Sequence, residues 1–130
     1  MNKEELLEMV QSLDLPIGEY YILGGGALVI SGIRKKTADL DLCVSEELFL
    51  KLKEKYNLSN ENKNECGFYK INNMIEIVPA KKEGFTMQKV DGIYIEDLNR
   101  ILKFKKARNL PKDQNDIKNI EEFLKLINNK

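Results

Sequence analysis

Two aspartates one residue apart, Asp39 and Asp41, alternate with Leu40 and Leu42. In a strand, successive side chains point to opposite faces, so both carboxylates share one face and both leucines the other. Two like charges side by side on a half-buried strand repel, and each pKa is pushed up. A divalent cation removes that penalty, because carboxylate oxygens are the ligands Mg²⁺ prefers. Just upstream, Gly24-Gly25-Gly26 follows an apolar run and supplies bare backbone N–H groups at the start of a helix, where a phosphate can sit. Glu76, flanked by Ile75 and Ile77, alternates out of the core as the two aspartates do. If its strand lies beside theirs, the three carboxylates converge on one face. Three such groups can hold two Mg²⁺ ions, a pair that activates an attacking hydroxyl and stabilises a leaving pyrophosphate. A lone Asp-x-Asp on a strand is more often solvated surface. The glycine turn before it and the strand carboxylate after it shift the balance toward chemistry.

The elements that must position these groups follow from apolar spacing. Leu6, Val10 and Leu13 fall at helical intervals, so residues 3–13 read as an amphipathic helix, ended by Leu15-Pro16-Ile17-Gly18. Tyr20 to Leu23 is a short apolar strand whose tyrosines are core or half-core, and Ala27 to Ser31 continues as a helix with Gly32 at its end. Residues 38–44 read as the carboxylate strand, and Ser45 caps a helix reaching Tyr56. Leu58 to Glu65 is polar and reads as an exposed loop. Two hairpins follow, Phe68–Ile71 with Met74–Val78 about Asn72-Asn73, and Met87–Val90 with Ile93–Ile95 about Asp91-Gly92. Residues 96–108 form a helix, and after Pro111 a last helix carries Ile117, Ile120, Phe123, Leu124 and Ile127 on one face as core. The class is α+β (α/β): a mixed sheet of about five strands with helices packed on it, in one domain spanning 1–130.

Composition narrows the chemistry. The chain has 130 residues and no histidine, which removes a Ser-His-Asp triad and any His-ligated zinc. No apolar run approaches the roughly 20 residues that span a bilayer, and the first residues lack a signal peptide's apolar stretch, so the expectation is a cytoplasmic protein without a membrane partner. Cys43 and Cys66 have no CxxC neighbour and read as reduced and structural. The 21 basic and 21 acidic residues cancel, so no global field draws in nucleic acid. Between Arg100 and Lys112, however, six positive residues occur with no negative one. That stretch is either a local anion site or a solvated helix face.

Segment 22–42 resembles the nucleotidyltransferase superfamily related to DNA polymerase beta. Its signature is a hydrophobic residue, two glycines, a spacer and Asp-hydrophobic-Asp-hydrophobic, here Leu23, Gly24, Gly25, thirteen residues, then Asp39-Leu40-Asp41-Leu42. Gly24, Gly25, Ala27, Gly32, Arg34, Thr37, Asp39 and Asp41 resemble its small bacterial branch of antibiotic and toxin-type nucleotidyltransferases, as do Arg108, Lys112, Asp113, Asp116 and Ile117 near the end. The resemblance implies transfer of a nucleoside monophosphate, AMP from ATP, to a hydroxyl on a small molecule, a protein or an RNA. It implies that Gly24 and Gly25 hold the triphosphate. Asp39 and Asp41 would bind two Mg²⁺ (or Mn²⁺) ions, and Glu76, where relatives often carry aspartate, the catalytic one while helping to deprotonate the acceptor. It offers Arg34 and Lys103 or Lys106 for phosphate charge. For Arg34, an exposed helix-end cation is an equal reading, and Asp113 and Asp116 fit a helix first turn without a catalytic role. A homodimer would build the acceptor wall that so small a core lacks, and a cognate antitoxin-like protein is the other expected partner. A non-catalytic nucleotide-binding or regulatory module, and a toxin held by its partner, are the other readings of the same residues.

Overall fold

A computed structural model describes residues 1–128 of the chain. Six strands form one mixed sheet: β1 (Tyr20–Ile22), β2 (Leu40–Ser45), β3 (Tyr69–Lys70), β4 (Ile75–Ala80), β5 (Met87–Val90) and β6 (Ile93–Glu96), in the order β3-β4-β2-β1-β6-β5. Five helices accompany it: α1 (Lys3–Ser12), α2 (Gly24–Ile30), α3 (Glu46–Lys55), α4 (Leu98–Arg108) and α5 (Gln114–Asn128). None is long and apolar enough to cross a membrane. The sheet thus has six strands where about five were expected, and both hairpins form, β3–β4 and β5–β6, each antiparallel. In the second, Asp91 and Gly92 both take positive φ, 51° and 81°, as a two-residue hairpin turn requires.

Two parallel pairings decide where chemistry is located. β2 runs parallel to β4, with Asp41 beside Glu76, and β1 runs parallel to β6, with Ile22 beside Ile95. β1 and β2 are antiparallel, with Ile22 opposite Leu42. The carboxyl ends of β1 and β6 and the amino ends of β2 and β4 therefore lie at the same end of the sheet. Leu40, Leu42 and Val44 of β2 and Ile75 and Ile77 of β4 are buried in one cluster with Leu6, Ala27, Leu28, Leu48, Leu52, Leu98 and Ile120 of the helices. Asp41 and Glu76 alternate to the other face, half-buried.

Local chemistry sets the helix ends. Ser45 caps α3 by accepting from the Leu48 N–H at 3.1 Å, and Asp97 caps α4 through the N–H groups of Asn99 and Arg100. α2 begins at Gly24 itself, so the glycines form the helix's first turn instead of preceding it. The last helix departs from its expected face: Ile120 is fully buried, Ile117, Phe123 and Leu124 are half-buried, and Ile127 is exposed. The region 58–65 is not wholly exposed either, because Leu58 packs into the core and Asn60–Asn62 makes a 3-10 turn. Both cysteines are free, Cys43 buried and Cys66 exposed. Tyr21 is buried and Tyr20 half-buried.

Candidate active site

Asp41 is the centre of the site. It lies opposite Glu76 in the β2–β4 ladder, and its Oδ1 is buried with no hydrogen-bond partner. Burial, then the Glu76 charge, then that of Asp39, push its carboxyl up to about 6. A buried acceptor atom facing like charges lacks either a proton or a cation. Asp39, Asp41 and Glu76 all carry carboxylates, the donor type of Mg²⁺ or Mn²⁺ sites, so their chemistry fits such an ion. Among the described residues, no three His, Cys, Asp or Glu side chains already enclose an ion-sized position. Asp39 is the exposed member of the trio.

Asp39 also stands outside the strand in which the alternation places it. β2 starts at Leu40, whose N–H bonds Met74 O at 2.8 Å and opens the ladder to β4. The preceding backbone turns to the amino terminus instead: the Thr37 N–H donates to Met1 O at 2.9 Å and the Met1 amine to Thr37 O. The strand expected over 38–44 therefore begins two residues later, and Asp39 occupies a loop beside it.

The glycine turn joins Asp41 in a cleft of about 580 Å³, lined also by Phe68, Glu96, Arg100, Phe104, Lys105 and Arg108. Gly24 takes φ +52°, a region few side chains tolerate. Its N–H, the donor that the sequence assigns to phosphate, is engaged by Glu96 Oε1 at 3.0 Å. Glu96 ends β6 next to the end of β1, so the parallel pairing itself delivers it there. Glu96 thus closes β6 instead of opening the helix expected over 96–108, and the alternation of Tyr94 and Glu96 against Ile93 and Ile95 is the signal that it belongs to the strand.

Gly25 meets a different constraint. A Cβ there would lie 2.6 Å from Arg34 Nη1 and 2.7 Å from Thr37 Oγ1. Gly25→Ala should therefore displace Arg34 and lower stability by about 1–3 kcal/mol, as overpacking does, measured by chemical denaturation. An unchanged midpoint would show that Arg34 yields freely.

Arg34 has little freedom to yield, because its guanidinium grips Asp116 by two bonds, Nε to Oδ1 at 3.4 Å and Nη2 to Oδ2. Lys105 Nζ lies 3.2 Å from the same Asp116 and 3.6 Å from Asp113. Asp113 in turn accepts from Arg108 Nε at 2.9 Å and from the Leu110 N–H at 3.1 Å. The Arg108 hydrogen bond holds its carboxyl well below the usual carboxylate range. Arg34, Lys105 and Arg108 are thus strung through two buried carboxylates, from the glycine helix to the cleft wall.

The structure places the remaining candidates apart. Lys106 is exposed and pairs with Glu121 on α5 at 3.0 Å. Lys103 lines a second cleft with Phe85, Thr86, Met87, Asp97 and Arg100, and Asp41 is not part of its lining. The lysine lining the Asp41 cleft is Lys105, which shares the buried side of α4 with Leu98 and Ile101. Helical spacing after Leu98 and Ile101 was the signal for it, masked by four neighbouring cations of the same helix.

No family model matches the sequence, and no curated protein matches it. In structure, the chain is similar to the crystal structure of ANT(2")-Ia in complex with adenylyl-2"-tobramycin, an antibiotic nucleotidyltransferase, with a TM-score of 0.57 at 15% identity. The alignment covers 95% of this chain and 86% of that one. The fold is nucleotidyltransferase-like. Within that nucleotidyltransferase-like fold, Asp41, Glu76, Gly24 and Glu96 gather at one end of the sheet because two parallel strand pairs bring them there.

Proposed function

We propose that this chain is a cytoplasmic, metal-dependent nucleotidyltransferase that moves AMP from ATP onto a hydroxyl and releases pyrophosphate. The observation that carries the reading is the buried, unpartnered Oδ1 of Asp41 beside Glu76, in the cleft that also holds the glycine turn. Such an atom costs stability unless the site uses it. Asp39, Asp41 and Glu76 would hold the Mg²⁺ ions, which when bound neutralise the charge developing on the transferred phosphoryl group.

The protein's own groups do the rest. Glu76 is the base for the acceptor's proton, its position in the strand fixed by the ladder to β2. Lys105 and Arg108, lining the same cleft, meet the phosphate charge. Glu96 occupies the Gly24 N–H until a phosphate oxygen replaces its carboxylate there, one anion exchanging for another. The neighbouring fold, seen with an adenylylated antibiotic, supports nucleotidyl transfer as the class of reaction. The acceptor is a hydroxyl of a small molecule, a protein or an RNA, and a second copy of the chain completes its binding wall.

Calorimetry and thermal melting with each ribonucleoside triphosphate, with and without Mg²⁺, test the reading. ATP at a hundredfold excess over its Kd should add about 2.7 kcal/mol of stability in the presence of Mg²⁺. Asp39→Ala should lose that gain. Absence of metal-dependent binding by every triphosphate would overturn the proposal.

A further inference from the structure

We infer that Phe104 is the platform on which the base of the donor nucleotide stacks, with Phe68 on the same cleft; this rests on the nucleotidyltransferase reading above. Phe104 lies on α4 between the buried Ile101 and Lys105, yet its own surface is 58% exposed. Solitary exposed aromatics are ordinary. This one lines the same cleft as Gly24 and Asp41, so an apolar ring shares one wall with the groups proposed for phosphate and metal. A cleft of about 580 Å³ is of the size that small-molecule ligands fill.

The ring is also braced. The Arg108 guanidinium lies 5.0 Å from its centroid, one helical turn on, and Arg108 is itself held by Asp113. A planar base laid on Phe104 would cover the apolar surface now open to water.

The remaining groups of the cleft say how the base is held. Arg100, Lys105 and Arg108 offer only donors, and the carboxylates of Asp41 and Glu96 only acceptors. Reading an adenine edge takes a donor and an acceptor side by side, and among the described residues no Asn or Gln side chain lines this cleft to supply both. Stacking reads the π-face, which every base has. The base is therefore held chiefly by its face.

The test compares Kd values for ATP, GTP and inorganic tripolyphosphate, each with Mg²⁺, in the wild type, Phe104→Ala and Phe104→Trp. Phe104 is exposed, so both variants should fold as the wild type does, checked by their melting curves. The expected result is that Phe104→Ala weakens ATP and GTP by about tenfold or more, leaves tripolyphosphate unchanged, and that Phe104→Trp restores nucleotide binding. Equal weakening of tripolyphosphate would overturn the inference, since Phe104 would then act through Arg108 on the phosphates. Unchanged ATP binding in Phe104→Ala, or ATP binding no tighter than tripolyphosphate in the wild type, would overturn it while leaving the transferase reading intact. A wild type that binds neither ATP nor tripolyphosphate would sink both.

Discussion

At pH 7, Asp41→Asn should make the fold more stable and nucleotidyl transfer at least about a hundredfold slower. The two effects share one cause. In the folded chain the Asp41 carboxyl titrates at about 6 against an ordinary value of 3.8, because it is buried beside Glu76 and Asp39. The folded state therefore binds more protons than the unfolded state between those values, so stability falls as pH rises from about 4 to about 6 and is level above. The full shift corresponds to about 3 kcal/mol, and the site's partial access to solvent reduces this to about 1–2 kcal/mol. Asn cannot ionise, so the variant should match the wild type's stability to within a few tenths at pH 4 and exceed it at pH 7. Urea denaturation at the two pH values gives both differences.

Activity should move the other way. Groups that merely orient a metal ligand cost 10- to 100-fold when removed, and Asp41 is proposed as a ligand itself. Mg²⁺ should recover the wild type's lost stability at pH 7 and do less for the variant. A variant that is less stable at pH 7 would mean that Asp41 has a favourable partner after all. One that retains full transfer would remove Asp41 from the site.

The same residue shows how far the sequence could be read. Its strand, its outward face and its pairing with Glu76 follow from period-two alternation in two segments that both carry isoleucine or leucine on either side of a carboxylate. Alternation is a local signal and failed where a distant group intervened: Asp39 leaves the strand because residue 37 bonds to Met1, 36 positions away. Glu96 escaped for a related reason. Its partner, the Gly24 N–H, is 72 residues away and becomes a neighbour only when β6 pairs parallel to β1. Lys103, Lys105 and Lys106 are alike in composition, and only the rotation of α4 against the sheet and α5 separates the buried one from the two that face water. Conversely Ile127 fits the apolar period of its helix, yet it lies past Ile120 toward an end where exposure returns.

Asp116 tests the part of the site that periodicity could not reveal. It sits in the first turn of α5, where a carboxylate is favoured by the helix dipole alone, and an exposed residue there would contribute a fraction of a kcal/mol. It is instead buried, held by Arg34 and by Lys105, whose own side chain is 11% exposed. Removing that carboxylate leaves Arg34 without this partner and Lys105 relying on Asp113 at 3.6 Å, which costs up to several kcal/mol. Asp116→Asn should therefore lower stability by about 3 kcal/mol, and the melting temperature of a chain this size by about 10 °C. A second substitution separates charge from shape. Lys105→Met keeps the buried stem and removes the cation that has lost its nearer carboxylate, while Arg108 continues to satisfy Asp113. In the Asp116→Asn background it should restore about half of the loss, so the two substitutions couple with opposite sign to their separate effects. If Asp116→Asn costs less than 1 kcal/mol, the residue is a helix-turn carboxylate and nothing more. If Lys105→Met recovers nothing, the loss lies in Arg34 and its hold on the glycine turn. In that case the cost should reappear in Arg34→Met, a substitution that leaves Lys105 and Asp116 to pair with each other.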